Sequence, residues 1–218
     1  MRIRRRCVIG AVVLSVGVCP GQDRAQFDLL LDVDYRSAAQ TVDLYEGRFE
    51  KIPGELSRCR HDVFPDPNTR QPKLLLYAIA YGFMNKPDLE RAYYDSARVY
   101  LEKLQESKPE YQADARVISS LGLIQAGLGH PDQAIKLGEE AVKLVPVTKN
   151  ALKWPYLAEN LAYIYTRAGK YPEALKLLND LLSKPGPLTT RLLEMDPRWA
   201  PLKNLRGYKK LLKAFPVD

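Results

Sequence analysis

Histidine and cysteine are scarce in this chain, which has two histidines and three cysteines in 218 residues. His61 and His130 stand in unrelated contexts, and Cys59-Arg60-His61 has no second ligand pair at zinc spacing, so no metal centre is expected. Neither a G-x-S-x-G turn, an H-E-x-x-H helix nor a Walker-type phosphate loop occurs. Gly122, Gly127 and Gly129 are irregularly spaced, and packing explains them better than phosphate binding does. A catalytic site needs several converging groups. With none in view, the chain is expected to be non-enzymatic and to use no cofactor. Long apolar runs are missing too. The run Val8–Val18 has eleven residues, against the roughly 20 that a bilayer-spanning helix needs.

That short run follows Arg2, Arg4, Arg5 and Arg6, and the combination predicts a secretory signal peptide over residues 1–21. Export, to a periplasm or to the outside, is the expected destination, with a lipid anchor on Cys19 as the alternative ending. Without residues 1–21 the formal charge drops from +7 to +3, 29 basic residues against 26 acidic. The basic balance therefore belongs largely to the leader and does not argue for nucleic acid as a partner. Cys59 would remain as the one cysteine of the mature chain, which leaves no internal disulfide.

What is present is 46% hydrophobic and 27% charged residues, the composition of an ordinary folded domain. Residues 22–72 read as an N-terminal helical cap and linker. A helix over 35–45 is expected to stop at Gly47. A second over 52–63 turns Leu56, Cys59 and Val63 inward, and a proline-rich loop covers 65–72. Residues 73–186 hold a repeat. Shifting residues 115–146 by 40 places Leu121-Gly122 on Leu161-Ala162, Gly129 on Gly169, Ala134 on Ala174 and Ala141 on Leu181. A fainter copy at 74–104 matches at a shift of 42, which puts Ile79-Ala80, Ala92 and Val99 on the same positions. Each turn carries a proline before an acid (Pro87-Asp88, Pro131-Asp132, Pro172-Glu173), as suits the first turn of a helix. Ala80, Gly122 and Ala162 on first helices, with Ala92, Ala134 and Ala174 on second helices, allow close approach. Ile79, Leu121 and Leu161 fill the space between pairs. Such hairpins bury their apolar faces only by stacking. The prediction is an all-α, right-handed α-α solenoid of three hairpins with N- and C-terminal helical caps.

The segments LGLIQAGLGHPDQAIKLGEEAVKLVP and LAYIYTRAGKYPEALKLLNDLL resemble tetratricopeptide repeats, although that family's period is 34 residues and these copies stand 42 and 40 apart. The extra residues are expected around 107–114 and 147–153. The stretch 186–212, with Asp196-Pro197-Arg198-Trp199, is similar to a tail that follows such repeats in bacterial sensor proteins and kinases. Ala200 and Arg206-Gly207-Tyr208 depart from that tail's pattern. Leu192, Leu193, Trp199, Leu202, Tyr208, Leu211 and Leu212 make residues 187–218 a capping segment, with Lys203, Lys209, Lys210 and Lys213 as its outer face rather than a membrane or nucleic-acid surface.

The resemblance implies that the first helix of each hairpin lines a concave groove. Carried onto this chain, the groove positions are Tyr77, Tyr81, Met84 and Asn85 in the first copy, Arg116, Ser119 and Leu123 in the second, and Tyr156, Glu159, Tyr163 and Arg167 in the third. Tyr77, Tyr81, Tyr156 and Tyr163 would anchor a protein or peptide partner, unless they pack between hairpins instead. Arg116 and Arg167 would meet a partner carboxylate. The Lys and Asn clamp of chaperone-binding relatives is not reproduced by Asn160 alone. The alternative function is an accessory or small-ligand-binding component of an envelope system.

Overall fold

The computed structural model describes residues 43–59, 62–63 and 69–216. Outside the described residues lie the leader, Cys19, most of the helix expected over 35–45, His61, and 65–68 of the proline-rich loop. Among the described residues the chain is all helical, apart from one isolated antiparallel bridge between Val63 and Pro72.

Four helix ends share one stop. Gly47, Asn85, Gly129 and Gly169 take φ of 70°, 55°, 84° and 72°. At each, the next residue's N–H reaches the carbonyl five residues back: Arg48 to Asp43 at 2.8 Å, Lys86 to Tyr81 at 3.0 Å, His130 to Gln125 at 2.9 Å and Lys170 to Tyr165 at 2.9 Å. This is the Schellman stop, which satisfies two of the helix's orphan carbonyls and needs a left-handed residue that glycine or asparagine adopts most readily.

These stops set the register of the repeat. Asn85, Gly129 and Gly169 lie 44 and 40 residues apart, so the first copy is offset by 44 from the second rather than by 42. In the corrected register Ala78 matches Gly122 and Ala162, Tyr94 matches Gly138 and Leu178, and Ala97 matches Ala141 and Leu181, all of them buried. Ala92 and Val99, expected inside, are exposed. Asparagine at the stop hides the glycine signal, and a match through scattered alanines slid by two residues.

The hairpins are α2 (Lys73–Phe83) with α3 (Pro87–Ser107), α4 (Ala115–Leu128) with α5 (Pro131–Leu144), and α6 (Trp154–Arg167) with α7 (Tyr171–Leu182). α1 (Ile52–Arg58) precedes them, and α8 (Thr190–Met195) and α9 (Arg206–Ala214) follow. Helix starts carry proline in the first turn in α1, α3, α5, α6 and α7. Asp114 caps α4 through Oδ1, and Thr189 caps α8 through its hydroxyl. α1 stops at Arg58, short of Val63. Leu56 and Cys59 are buried as expected, but Val63 belongs to the bridge. Part of the excess period is in α3, 21 residues long against 14 for α4. At about 3.6 residues per turn, α3 is longer than α4 by about two turns.

Within each hairpin the two helices pack along their length, and α3 meets α4 while α5 meets α6. α4 also packs directly on α6, whereas α2 has far less direct contact with α4. Close approach is built from missing side chains. A Cβ on Gly122 would stand 3.2 Å from the Ala134 carbonyl, and one on Gly138 would stand 2.8 Å from a Leu161 methyl. One apolar core runs from Leu75 to Leu211, and a smaller one gathers Ile52, Leu56, Cys59 and Ala80 beneath α1. At the other end Trp199 and Leu202 are buried in a 3-10 turn that packs on α6, Tyr208 and Leu211 are buried on α9, which packs on α7, and the Tyr208 hydroxyl donates to the Leu193 carbonyl at 2.8 Å. Arg206, Lys209, Lys210 and Lys213 face outward on α9. Among the described residues no helix is long and apolar enough to cross a membrane.

Candidate functional site

Ile79 of α2, Leu123 of α4 and Tyr163 of α6 occupy one repeat position in the corrected register and border one cavity of about 300 Å³. Both ends of the chain contribute walls. Leu44, Tyr45 and Ile52 come from the N-terminal side, and Leu188, Leu192 and Arg198 from the C-terminal segment. Helices of all three hairpins and segments before and after them therefore meet around this recess. It lies where α2 stands away from α4.

The polar end of the recess is an ion cluster. Arg198 donates from Nη2 to Glu159 Oε1 at 2.7 Å and from Nε to Asp196 Oδ2 at 2.8 Å. Its guanidinium lies 5.7 Å from the ring centres of both Tyr163 and Trp199. The geometry starts from local sequence. Asp196 caps the 3-10 turn Pro197–Leu202 by accepting from the Arg198 backbone at 2.9 Å, which turns the arginine back over α6. Burial pushes the Glu159 carboxyl up from its ordinary range; Arg198 opposes this without overcoming it, because Asp196 adds a like charge. Burial also raises the Tyr45 phenol to about 12, with Arg198 pulling the other way. Asn160, 6% exposed, donates to the Ser119 hydroxyl at 3.0 Å and ties α6 to α4 beside the recess.

Of the residues projected onto the groove, Leu123, Tyr156, Glu159 and Tyr163 border this cavity. The first-copy residues do not, because the two-residue shift placed them one face round the helix. Tyr77 and Tyr81 stack instead with Tyr93 of α3, with ring centres 4.9 and 5.2 Å from it, and the Tyr77 hydroxyl donates to the Pro53 carbonyl. Met84 and Asn85 form the turn after α2. Ser119 is 1% exposed and serves as the partner of Asn160.

The two arginines expected to meet an outside carboxylate each have one within the fold. Arg116 holds Asp114 at 2.7 Å, where Arg70 also approaches to 3.1 Å. Burial works against the Asp114 charge, yet the Arg116 hydrogen bonds and the two guanidiniums hold its carboxyl below the usual range. Arg167 pairs with Glu90 of α3 at 3.4 Å and lies 5.9 Å from the Tyr94 ring, so the first and third hairpins meet across the second. His130 bonds Gln125 through Nδ1 at 2.8 Å, a role inside the repeat turn. Among the described residues no group of three or more His, Cys, Asp or Glu is placed to hold a metal.

The chain was compared with protein-family models, curated proteins and solved structures. No match was found in any of the three. What the recess does must therefore be argued from its own residues. Tyr45, Ile79, Asn160 and Arg198 are the ones that sequence reasoning left out. Arg198 carried a signal, since it sits in the DPRW stretch read purely as a cap. Ile79 needed the correct register. Tyr45 had no signal, because nothing in its segment shows that it folds back against α6.

Proposed function

We propose that this chain is a non-catalytic, tetratricopeptide-like α-α solenoid that binds a partner on its concave face. The supporting observation is the recess of about 300 Å³ between the inner helices and the two caps. Its size is at the small end of ligand pockets. An extended peptide lying along an open groove fits it poorly. One projecting side chain or terminus of a protein partner, or a small molecule, fits it well. Tyr156 then acts as an anchoring surface, Tyr163, 6% exposed and edge-on to Trp199, forms part of the wall, and Tyr77 and Tyr81 act through packing. The bounded recess also favours the second reading, a small-ligand component of an envelope system, more than an open groove would. The leader-like N-terminus supports export in either case.

A photo-crosslinking residue decides between faces. Placed at Tyr156 it sits at the recess; placed at Leu152 it sits on a side chain 80% exposed outside it. Expected are crosslinks to a partner from position 156 and none from 152. Crosslinks from 152 alone would mean a scaffold that works through its outer surface.

A further inference from the structure

The recess has a chemical preference that its shape does not convey. Its polar end holds two carboxylates, Glu159 and Asp196, on a single guanidinium, that of Arg198. Among the described residues the cluster therefore sets two carboxyl groups against one guanidinium. Asp196 has the better share, because it meets Arg198 through both Nε and Nη2 and caps the turn as well. Glu159 receives one hydrogen bond, at 2.7 Å, and its side chain is only 17% exposed. Glu159 borders the cavity, and so do Tyr45, Tyr156 and Tyr163, with Ile79 and Leu123 making the apolar wall behind them.

An anion would enter beside two carboxylates that share one guanidinium. If it drew Arg198 away from either, that carboxylate would be left partly buried and unpaired, which is the costly outcome for an ion pair. A neutral apolar molecule would fill the wall and leave the charge as it is. A cation on an apolar body does both, giving Glu159 a second partner beside Arg198 while its body lies among the residues that border the cavity.

We propose that the recess takes a ligand bearing one cationic nitrogen on an apolar or aromatic body, with the nitrogen at Glu159 and the body against Ile79 and Leu123. The assignment rests on the reading of the recess as the binding site and specifies its ligand class: an organic ammonium, whether a small amine or the amino group of a protein partner. Burial raises the Glu159 carboxyl even with Arg198 beside it, and a bound cation would draw it back down.

The test uses three probes of similar size at neutral pH: 2-phenylethylamine, 3-phenylpropanol and 3-phenylpropionate, titrated calorimetrically into the full chain. The amine should bind and the propionate should not. Glu159→Gln should weaken the amine by about tenfold or more, the effect of losing a hydrogen bond to a charged group. The same substitution should leave the alcohol unchanged. Leu123→Trp, which fills the cavity and touches no charge, should abolish all binding while circular dichroism remains that of the parent. Propionate binding as tightly as amine, or amine binding that ignores Glu159→Gln, would sink the charge assignment. If the alcohol also bound in a Leu123-dependent way, the recess would survive as a site. Amine binding that persists in Leu123→Trp would place the amine elsewhere and overturn the proposal. Binding by no probe would overturn it as well, and crosslinks from position 156 would then still report separately on the concave face.

Discussion

Two glycines in the last turns of inner helices test how rigidly their neighbours are held. A Cβ at Gly127 would stand 2.3 Å from the Tyr94 ring, which is 1% exposed. That ring cannot move without disturbing the core. Gly127→Ala should therefore cost about 1–3 kcal/mol by overpacking, more than the gain in helix propensity of about 1 kcal/mol returns. At Gly82 the nearest atoms belong to the Glu90 carboxylate, 2.8 Å away. A carboxylate at the end of a flexible chain moves aside, and its pair with Arg167 is worth only about 0–1 kcal/mol. Gly82→Ala should change stability by less than about 0.5 kcal/mol, a loss and a propensity gain of similar size. Urea unfolding midpoints of the two variants give the comparison. Equal effects would mean that Tyr94 is not the rigid wall described.

At the scale of elements, the C-terminal segment is at once a cap and a wall of the recess. Trp199 is fully buried, and through the Asp196 turn it shares a neighbourhood with Arg198. Trp199→Ala should cost about 3–5 kcal/mol. The loss should be local as well as global, since α4 and α5 have their own close packing through Gly122. Amide hydrogen exchange is expected to speed up across α8 and α9 first, with α4 and α5 losing protection least. A uniform loss from α1 to α9 would indicate that the cap and the repeat unfold as one unit. Ligand binding should fail in this variant even below its unfolding transition, because Arg198 loses its support.

For the molecule as a whole, the tyrosines set an alkaline limit. Burial raises both Tyr45 and Tyr208 from 10 to about 12. The unfolded chain gives up these protons near pH 10 while the folded chain keeps them. Above that pH the folded state binds more protons, so stability must fall with rising pH. The contribution is complete below about pH 10 and is lost progressively from there through about pH 12. Around Tyr45 the groups that modulate the shift are Arg198, Glu159 and Asp196; around Tyr208 they are Glu194 and Asp196. Urea midpoints measured at about pH 8, 10 and 11.5 should decline only across the last interval. Tyr208→Phe should be less stable than the parent at pH 8, having lost the bond to Leu193, and should show a shallower alkaline decline. A decline already under way between pH 8 and 10 would point to other groups.

The sequence by itself determined the helices and their punctuation. Helical spacing of apolar residues, proline with an acid in first turns and glycine at the stops are local devices, legible wherever the chain keeps them. Gly47 was read as a stop for that reason, and Leu56, Leu193, Trp199 and Tyr208 as inward-facing; Gly129 was ascribed to packing although a Cβ there would meet nothing within 4 Å, and it and Gly169 are stops. Asn85 was not, because asparagine reaches the left-handed region without advertising it, and one disguised stop shifted the first repeat by two residues. Tertiary structure decided the rest. Whether Tyr77 faced a ligand or Tyr93 depended on that register and on α1 lying across it. Whether Arg198 was a capping residue or a wall depended on residues 39 positions apart meeting at Glu159. Local pattern selects a helix and its inner stripe. The recess, and the ion cluster of Glu159, Asp196 and Arg198 at its polar end, arise where segments distant in the chain converge.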